Sequence, residues 1–516
     1  MRLRRTTIFY HTCLLTLSSV ALQILGFIYR IGLSRCAGAE AVGVYQLVMP
    51  VYSVIQSLTL SGVTVAVSSI SAQRRAFGDY TGVKKLVRTG IGFFLIAFAL
   101  TCIPFALGAA PISSWLCSTP QCAPALLLLL PCLFLTGFEN IYKNCFYGIK
   151  SVFEPIFSEL LEHIVRIIAV LGLLLFFANG SPTQAAALIV CGMIVGEIFS
   201  SSALSILYRR NVGRRHGQGG PKVKSYWKEI AAIAFPVAAS GVLNNIIASA
   251  TTLLIPQRLI LSGVDASQAM SAFGIMFGMT FPLLMLPSAF LNPLTMVLIP
   301  KFSENVALHR DSDIRRKASK ALHVTGLIAA PCMAILIPLR EPLCQALYGE
   351  AQASQYILPL ALSTIFLFYQ IVTGSILNGI QMQKHACASV ILSGIVELGV
   401  TYFTVSNPRL RLFGYVLACL ISSIAGCLMN VCFVKRAVKF KIRWRNWFFT
   451  PYFSAVIASL FCRFVYYFLL SNSITGSLCL ISAIVCALLS YLGLLRLQGI
   501  NFPRYLRSIL EEAPGT

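Results

Sequence analysis

Charge is what this sequence has least of. Only 11% of its 516 residues are Asp, Glu, Lys or Arg, and just 17 are acidic. A soluble domain carries about 25% charged residues, so an ordinary solvated surface is excluded. Metal and redox motifs are missing as well. The 17 cysteines are scattered, mostly within apolar runs, with no Cys-x-x-Cys pair and no zinc-ligand spacing to His. They read as small hydrophobic fillers, and no metal is expected. Cys117 and Cys122 share one short loop and could bridge if that loop is external. No small-x-small cleavage site follows Arg2, Arg4 and Arg5, so the first apolar run is expected to remain as an uncleaved span. No stretch is long and polar enough for a soluble domain; the longest loop, 209–228, is basic and glycine-rich.

What is present is apolar length. Hydrophobic residues make up 57% of the chain and the mean hydropathy is +0.79. A bilayer core takes about 20 apolar residues per helix, and fourteen runs of that size can be marked, from 8–33 and 44–71 at the start to 452–470 and 474–495 at the end. The expected fold is an all-α polytopic membrane protein.

The net charge of +24 then becomes a statement about topology. If the N-terminus is cytoplasmic and the spans alternate, 32 of the 41 Lys and Arg face the cytoplasm, 5 face outward and 4 lie within spans. That bias places both termini in the cytoplasm. The basic loops are explained by the membrane, and no nucleic-acid partner is expected.

The spans group as six, a basic loop, six, a second basic loop, and two. The expected divisions are an N-lobe 1–228, a C-lobe 229–446, and a terminal pair with its tail, 447–516. The first and second spans and the seventh and eighth spans form equivalent hairpins, as in transporters built from repeats.

Charges inside spans are costly and mark function or pairing. Arg30 has Gly26 and Ser34 at i−4 and i+4, so no carboxylate of its own helix can pair with it there. With Arg35 and Arg258 it stands near the apices of the two hairpins. A guanidinium fork matches phosphate oxygens and stays charged, so these arginines are candidate diphosphate ligands. In the fifth span Glu159, Glu162, His163 and Arg166 fall on one helical face. Glu159–His163 and Glu162–Arg166 are i,i+4 pairs. The stripe is either an ion-paired packing seam or the polar wall of a cavity. Glu139 and Lys143 are a similar pair in span four, where Lys143 is expected to snorkel toward the interface. Glu197, Glu397 and Arg463 are single charges in spans six, eleven and thirteen.

Residues Leu25-Gly-Phe-Ile-Tyr-Arg30, Gly43-Val-Tyr-Gln-Leu47, Gly62-Val-Thr-Val-Ala-Val-Ser68, Leu286-Pro287 and Leu298-Ile-Pro300 give the chain a family resemblance. It resembles the polysaccharide flippase branch of the multidrug/oligosaccharidyl-lipid/polysaccharide exporter superfamily, in particular the stage V sporulation protein B group and, more distantly, lipid II flippases. The resemblance implies two six-helix lobes plus a C-terminal helix pair in a V-shaped, alternating-access fold. It implies export of an undecaprenyl-diphosphate-linked oligosaccharide or peptidoglycan precursor across the cell membrane, for wall or spore-cortex synthesis. Arg30 matches the arginine that follows Gly-Phe in the first span, and Gln23 stands where the family has a further arginine.

No enzyme is expected. The carboxylates near the outer face, Glu40, Asp265, Glu341 and Glu350, lie in short loops. No cofactor is expected beyond coupling to membrane potential, Na+ or H+. The expected partners are the lipid-linked saccharide and membrane lipid, with the chain a monomer or loosely associated with cell-wall machinery. The competing readings are a multidrug/cation antiporter of the same superfamily and a non-transporting wall-assembly factor.

Overall fold

The computed structural model describes residues 2–117, 123–178, 180–214, 225–438, 445–472 and 475–501. Cys122, half of the basic loop 209–228 and the C-terminal tail fall outside them, as does any bridge from Cys117 to Cys122. Among the described residues there is no strand. That follows from the solvent: in hydrocarbon every backbone N–H and C=O must be paired within its own segment.

The helices are α1 (Arg2–Ala76), α2 (Tyr80–Leu107), α3 (Ala109–Cys117), α4 (Ala123–Gly148), α5 (Phe153–Phe177), α6 (Pro182–Tyr208), α7 (Tyr226–Leu261), α8 (Ala266–Gly274), α9 (Phe281–Leu284), α10 (Ser288–Ala307), α11 (Asp311–Leu336), α12 (Arg340–Tyr348), α13 (Ser354–Gly379), α14 (Gln383–Thr404), α15 (Leu412–Val438), α16 (Thr450–Ser471) and α17 (Gly476–Leu497). Among the described residues thirteen stretches are long and apolar enough to cross a membrane. The first of them, Leu17–Ala76, has 60 residues, about 90 Å of helix against a core of about 30 Å. It must cross twice. Gly38 breaks it with φ 78° and ψ 166°, a conformation open essentially to glycine alone. Counting its two arms separately, the crossings match the fourteen runs of the sequence one for one. The protein is an all-α polytopic membrane protein.

The chain packs as two compact units, Met1–Gly274 and Ile275–Thr516. The division at 228/229 expected from the six-plus-six pattern is not where the packing divides. Helices α7 and α8 pack with the first unit because its glycines let backbones touch. A Cβ on Gly43 would stand 2.2 Å from the Met270 carbonyl oxygen, and one on Gly62 would stand 2.1 Å from that of Ala234. Ser249 Oγ donates to the Pro50 carbonyl at 3.1 Å. These contacts run the second arm of α1 antiparallel to α7 along its length.

In the second unit, Leu327, Ala330 and Ala334 of α11 meet Ala455, Ala458, Tyr491 and Leu495 of α16 and α17 in one apolar cluster. The Tyr369 hydroxyl donates to the Trp447 carbonyl at 2.6 Å, and the Tyr491 hydroxyl donates to that of Leu327 at 3.3 Å. The terminal helix pair is thereby tied to α11 and α13.

Candidate functional site

The charges of α4, α5 and α6 converge. Lys143 Nζ lies 2.9 Å from Glu159 Oε1 of α5 and 3.4 Å from Glu139 Oε1 one turn earlier in α4. Arg166 pairs with Glu162 in α5 and reaches Glu197 Oε1 of α6 at 3.7 Å. Ser200 Oγ donates to Glu139 Oε1 at 2.7 Å and shares a 2.6 Å hydrogen bond with Ser158. Glycines make the approach possible: a Cβ on Gly196 would stand 3.2 Å from the Glu162 carbonyl oxygen. The four acidic residues and two cations form one cross-helix network, and Glu139, Glu162 and Glu197 are buried.

Two expectations change here. Lys143 does not snorkel; its side chain is 12% exposed and clamped between two carboxylates, because the pairing available inside exceeds what the interface offers. Glu159 takes Lys143 as its ion-pair partner in place of His163, since the ammonium of the neighbouring helix comes within hydrogen-bond reach. His163 is half-buried on the same helix. The i,i+4 pair Glu162–Arg166 forms as the spacing implied.

No metal was expected, yet carboxylate oxygens of Glu139, Glu162 and Glu197 lie within 4.8 Å of one another. The chain's own cations already stand against this triad. Glu139, Glu159, Glu162 and Glu197 outnumber Lys143 and Arg166, so fully ionised carboxylates leave the network negative. Glu197 Oε2 and Arg166 Nε are buried with no hydrogen-bond partner among the described residues.

Beside the network stand two tyrosines that sequence reasoning passed over. Tyr29 and Tyr45 are both within electrostatic reach of Arg30 and of Arg166. The Tyr45 hydroxyl meets Met193 Sδ at 3.6 Å, and Tyr52 and Thr136 share a 2.9 Å hydrogen bond. The only signal was proximity, Tyr29 next to Arg30 in sequence.

Arg30 and Arg35 are exposed on the first arm of α1, and Gln23 is half-buried one to two turns before Arg30. Among the described residues no ion pair includes Arg30. Arg258 is half-buried in α7. The antiparallel pairing of residues 50 with 249 and 62 with 234 carries its backbone to about the level of residue 41, near the Gly38 break. That is the end of the first unit to which Arg35 also belongs, with Arg30 about two helical turns before the break.

Glu397 belongs to the second unit. Tyr415 donates to its Oε1 at 3.2 Å and Ser422 to its Oε2 at 3.3 Å. Arg463 is exposed on α16, its guanidinium 5.7 Å from the Tyr467 ring.

Comparison with known proteins agrees with this architecture. The polysaccharide biosynthesis protein family matches residues 10–306 and the MatE family residues 232–403. Stage V sporulation protein B of Bacillus subtilis (strain 168) is 22% identical over 437 residues, 84% of each chain. Lipid II flippase MurJ of the same organism is 22% identical over 457 residues, 82% of each chain. A solved lipid II flippase MurJ in an inward closed conformation superposes with a TM-score of 0.64 at 15% identity, over 93% of this chain and 98% of that one. Over more than half its length the chain matches one family, and it belongs to the polysaccharide biosynthesis protein family, with the fold of the exporter superfamily that the sequence resembles.

Proposed function

We propose that the protein is a flippase that carries an undecaprenyl-diphosphate-linked oligosaccharide or peptidoglycan precursor from the inner to the outer leaflet, for wall or spore-cortex synthesis. The observation that carries this reading is Arg30: an exposed guanidinium on a membrane-crossing arm, with no ion-pair partner among the described residues. A charge in that position is expensive and is best explained by an anionic ligand. A diphosphate offers the oxygens its fork matches. Arg35 and Arg258 at the same end of the unit would extend the anion site, and Gln23 would contact the saccharide. Family membership and the named relatives support the reading.

In this proposal the protein sits in the cell membrane with both termini cytoplasmic, the side to which the basic segments belong. It works by alternating access between two repeated lobes, catalyses no bond chemistry, and acts alone or loosely joined to the wall machinery. The α4–α6 network, with Glu139, Lys143, Glu159, Glu162, His163, Arg166 and Glu197, is the coupling element, and Glu397 is a second polar point. An inside-negative potential favours outward movement of an anion by about 2.3 kcal/mol per charge per 100 mV. Na+ or H+ at the acidic network would serve the same end.

The test is reconstitution in proteoliposomes with fluorescent undecaprenyl-diphosphate sugars. The parent chain should deliver the label to the outer leaflet, and Arg30→Ala should lose most of that delivery while inserting normally. Undiminished flipping by Arg30→Ala would overturn the role of Arg30. Flipping by neither chain, with any of several headgroups, would overturn the substrate class.

A further inference from the structure

The second unit has a recess of about 630 Å3 where the start of α16 meets the end of α17 and the side of α11. Its volume is in the range of small-molecule sites. It is built from residues outside the network and arginine cluster described above. Arg445 and Asn446 enter it just before α16, Thr450 and Phe453 from the first turns of α16, His323 from α11, and Gln498 from just past α17. Among the described residues no carboxylate lines it.

Each feature favours one class of occupant. Arg445 is exposed and takes part in no ion pair among the described residues. Around it stand two amide side chains and an imidazole, groups able to donate to phosphate oxygens, while the Thr450 hydroxyl donates to the Arg445 carbonyl at 3.0 Å. Gln498 is oriented by a 3.1 Å hydrogen bond from its Nε2 to Ser454 Oγ. The lip is apolar: Phe449, also lining the recess, is 70% exposed and Phe453 is 60% exposed. Four residues apart in continuous helical backbone, they share a face that would lie along a hydrocarbon chain. The floor is rigid. Phe448 stacks on Tyr369 with ring centres 4.6 Å apart, and Trp447 is 3% exposed with its carbonyl held by Tyr369. Both helix ends that form the recess sit beside basic sequence, with six Lys and Arg in 435–445 and a further Arg at 496. A segment of that kind is drawn to an anionic leaflet at about 1 kcal/mol per charge.

We infer that this recess binds the phosphodiester headgroup of an anionic phospholipid from the leaflet on the basic side, with one acyl chain along Phe449 and Phe453. The phosphate meets the Arg445 fork, and the glycerol of the headgroup meets Asn446 and Gln498. The site needs no part of the flippase reading, since it uses neither Arg30 nor the α4–α6 network.

The experiment is native mass spectrometry of the full chain released from nanodiscs of equimolar phosphatidylglycerol and phosphatidylcholine. The parent should retain phosphatidylglycerol over phosphatidylcholine by about tenfold, the worth of one charge-assisted contact. Arg445→Gln should remove most of that preference, and Arg445→Lys should restore part of it through charge alone. Phe453→Ala should lower retention of both lipids. Arg409→Gln, an exposed arginine at the other end of α15, should change nothing. Equal retention of the two lipids by the parent, or an unchanged preference in Arg445→Gln with normal chromatographic behaviour, would overturn the inference. So would release of the lipid by millimolar inorganic phosphate, which would identify a free-phosphate site.

Discussion

Lys143 of α4 and Glu159 of α5 meet at 2.9 Å across two helices, and the same ammonium lies 3.4 Å from Glu139. One cation is thus shared by two carboxylates, of which Glu139 is almost wholly buried. Removing a single member of a buried pair costs more than the pair contributes, because the other charge is left without compensation. Lys143→Met should therefore lower stability by about 3 kcal/mol, read as a fall in melting temperature in detergent. Adding Glu139→Gln to Lys143→Met should recover part of the loss. A Lys143→Met chain that melts with the parent would show that water reaches the pair.

Much of this was legible from residue patterns, and the part that was not has a common cause. Hydropathy marks crossings because each helix must bury a bilayer's length of backbone, and all fourteen runs have a counterpart. The pair Glu162–Arg166 was legible because i,i+4 partners share a helix. Lys143–Glu159 was not, because helix rotation decides which face meets which. The same holds for α7. Nothing in Gly43 or Gly62 announces a partner, yet their lack of a side chain brings α7 and α8 into the first unit. Glu139, Glu162 and Glu197 come from three helices, and only tertiary packing turns them into a triad.

Gly62 and Gly38 are needed for different reasons, and two alanine substitutions should separate them. At Gly62 an added Cβ would stand 2.1 Å from the Ala234 carbonyl oxygen, so the backbones of α1 and α7 must move apart. A cost of about 1–3 kcal/mol is expected, with loss of the close α1–α7 packing. At Gly38 there is nothing within 4 Å of the new Cβ, and the cost is backbone strain at φ 78°, again about 1–3 kcal/mol. Gly26→Ala, with open space and helical backbone, should be neutral or slightly stabilising. Cysteine cross-linking between α1 and α7 should weaken in Gly62→Ala and persist in Gly38→Ala.

Glu397 receives hydrogen bonds from two hydroxyls, Tyr415 and Ser422, and takes part in no ion pair among the described residues. Its partners suit a neutral acceptor as well as a charged one. Glu397→Gln keeps the acceptor oxygen and removes any charge, so it should melt at or above the parent temperature. Glu397→Leu removes both acceptors and leaves the hydroxyl of Tyr415, a buried residue, without the carboxylate it donates to, at a cost of about 1–3 kcal/mol. A large destabilisation by Glu397→Gln would mean that the carboxylate form itself is required.

Glu162 and Glu197 both approach Arg166, and their amide variants should part company. Glu162 is on the same helix as Arg166 and shields it locally. Glu162→Gln leaves the half-buried guanidinium dependent on Glu197 at 3.7 Å, so stability should fall by about 1–3 kcal/mol. Glu197→Gln removes one negative charge from a network where carboxylates are in excess, and Glu162 still neutralises Arg166. The fold should survive, but the response to an ion gradient should not. If the network couples transport to Na+ or H+, Glu197→Gln proteoliposomes should flip lipid-linked saccharide at a rate that changes little when a sodium or proton gradient is imposed. The parent should accelerate under one of these gradients. An identical acceleration in Glu197→Gln would remove the network from ion coupling and leave it as a packing seam between α4, α5 and α6.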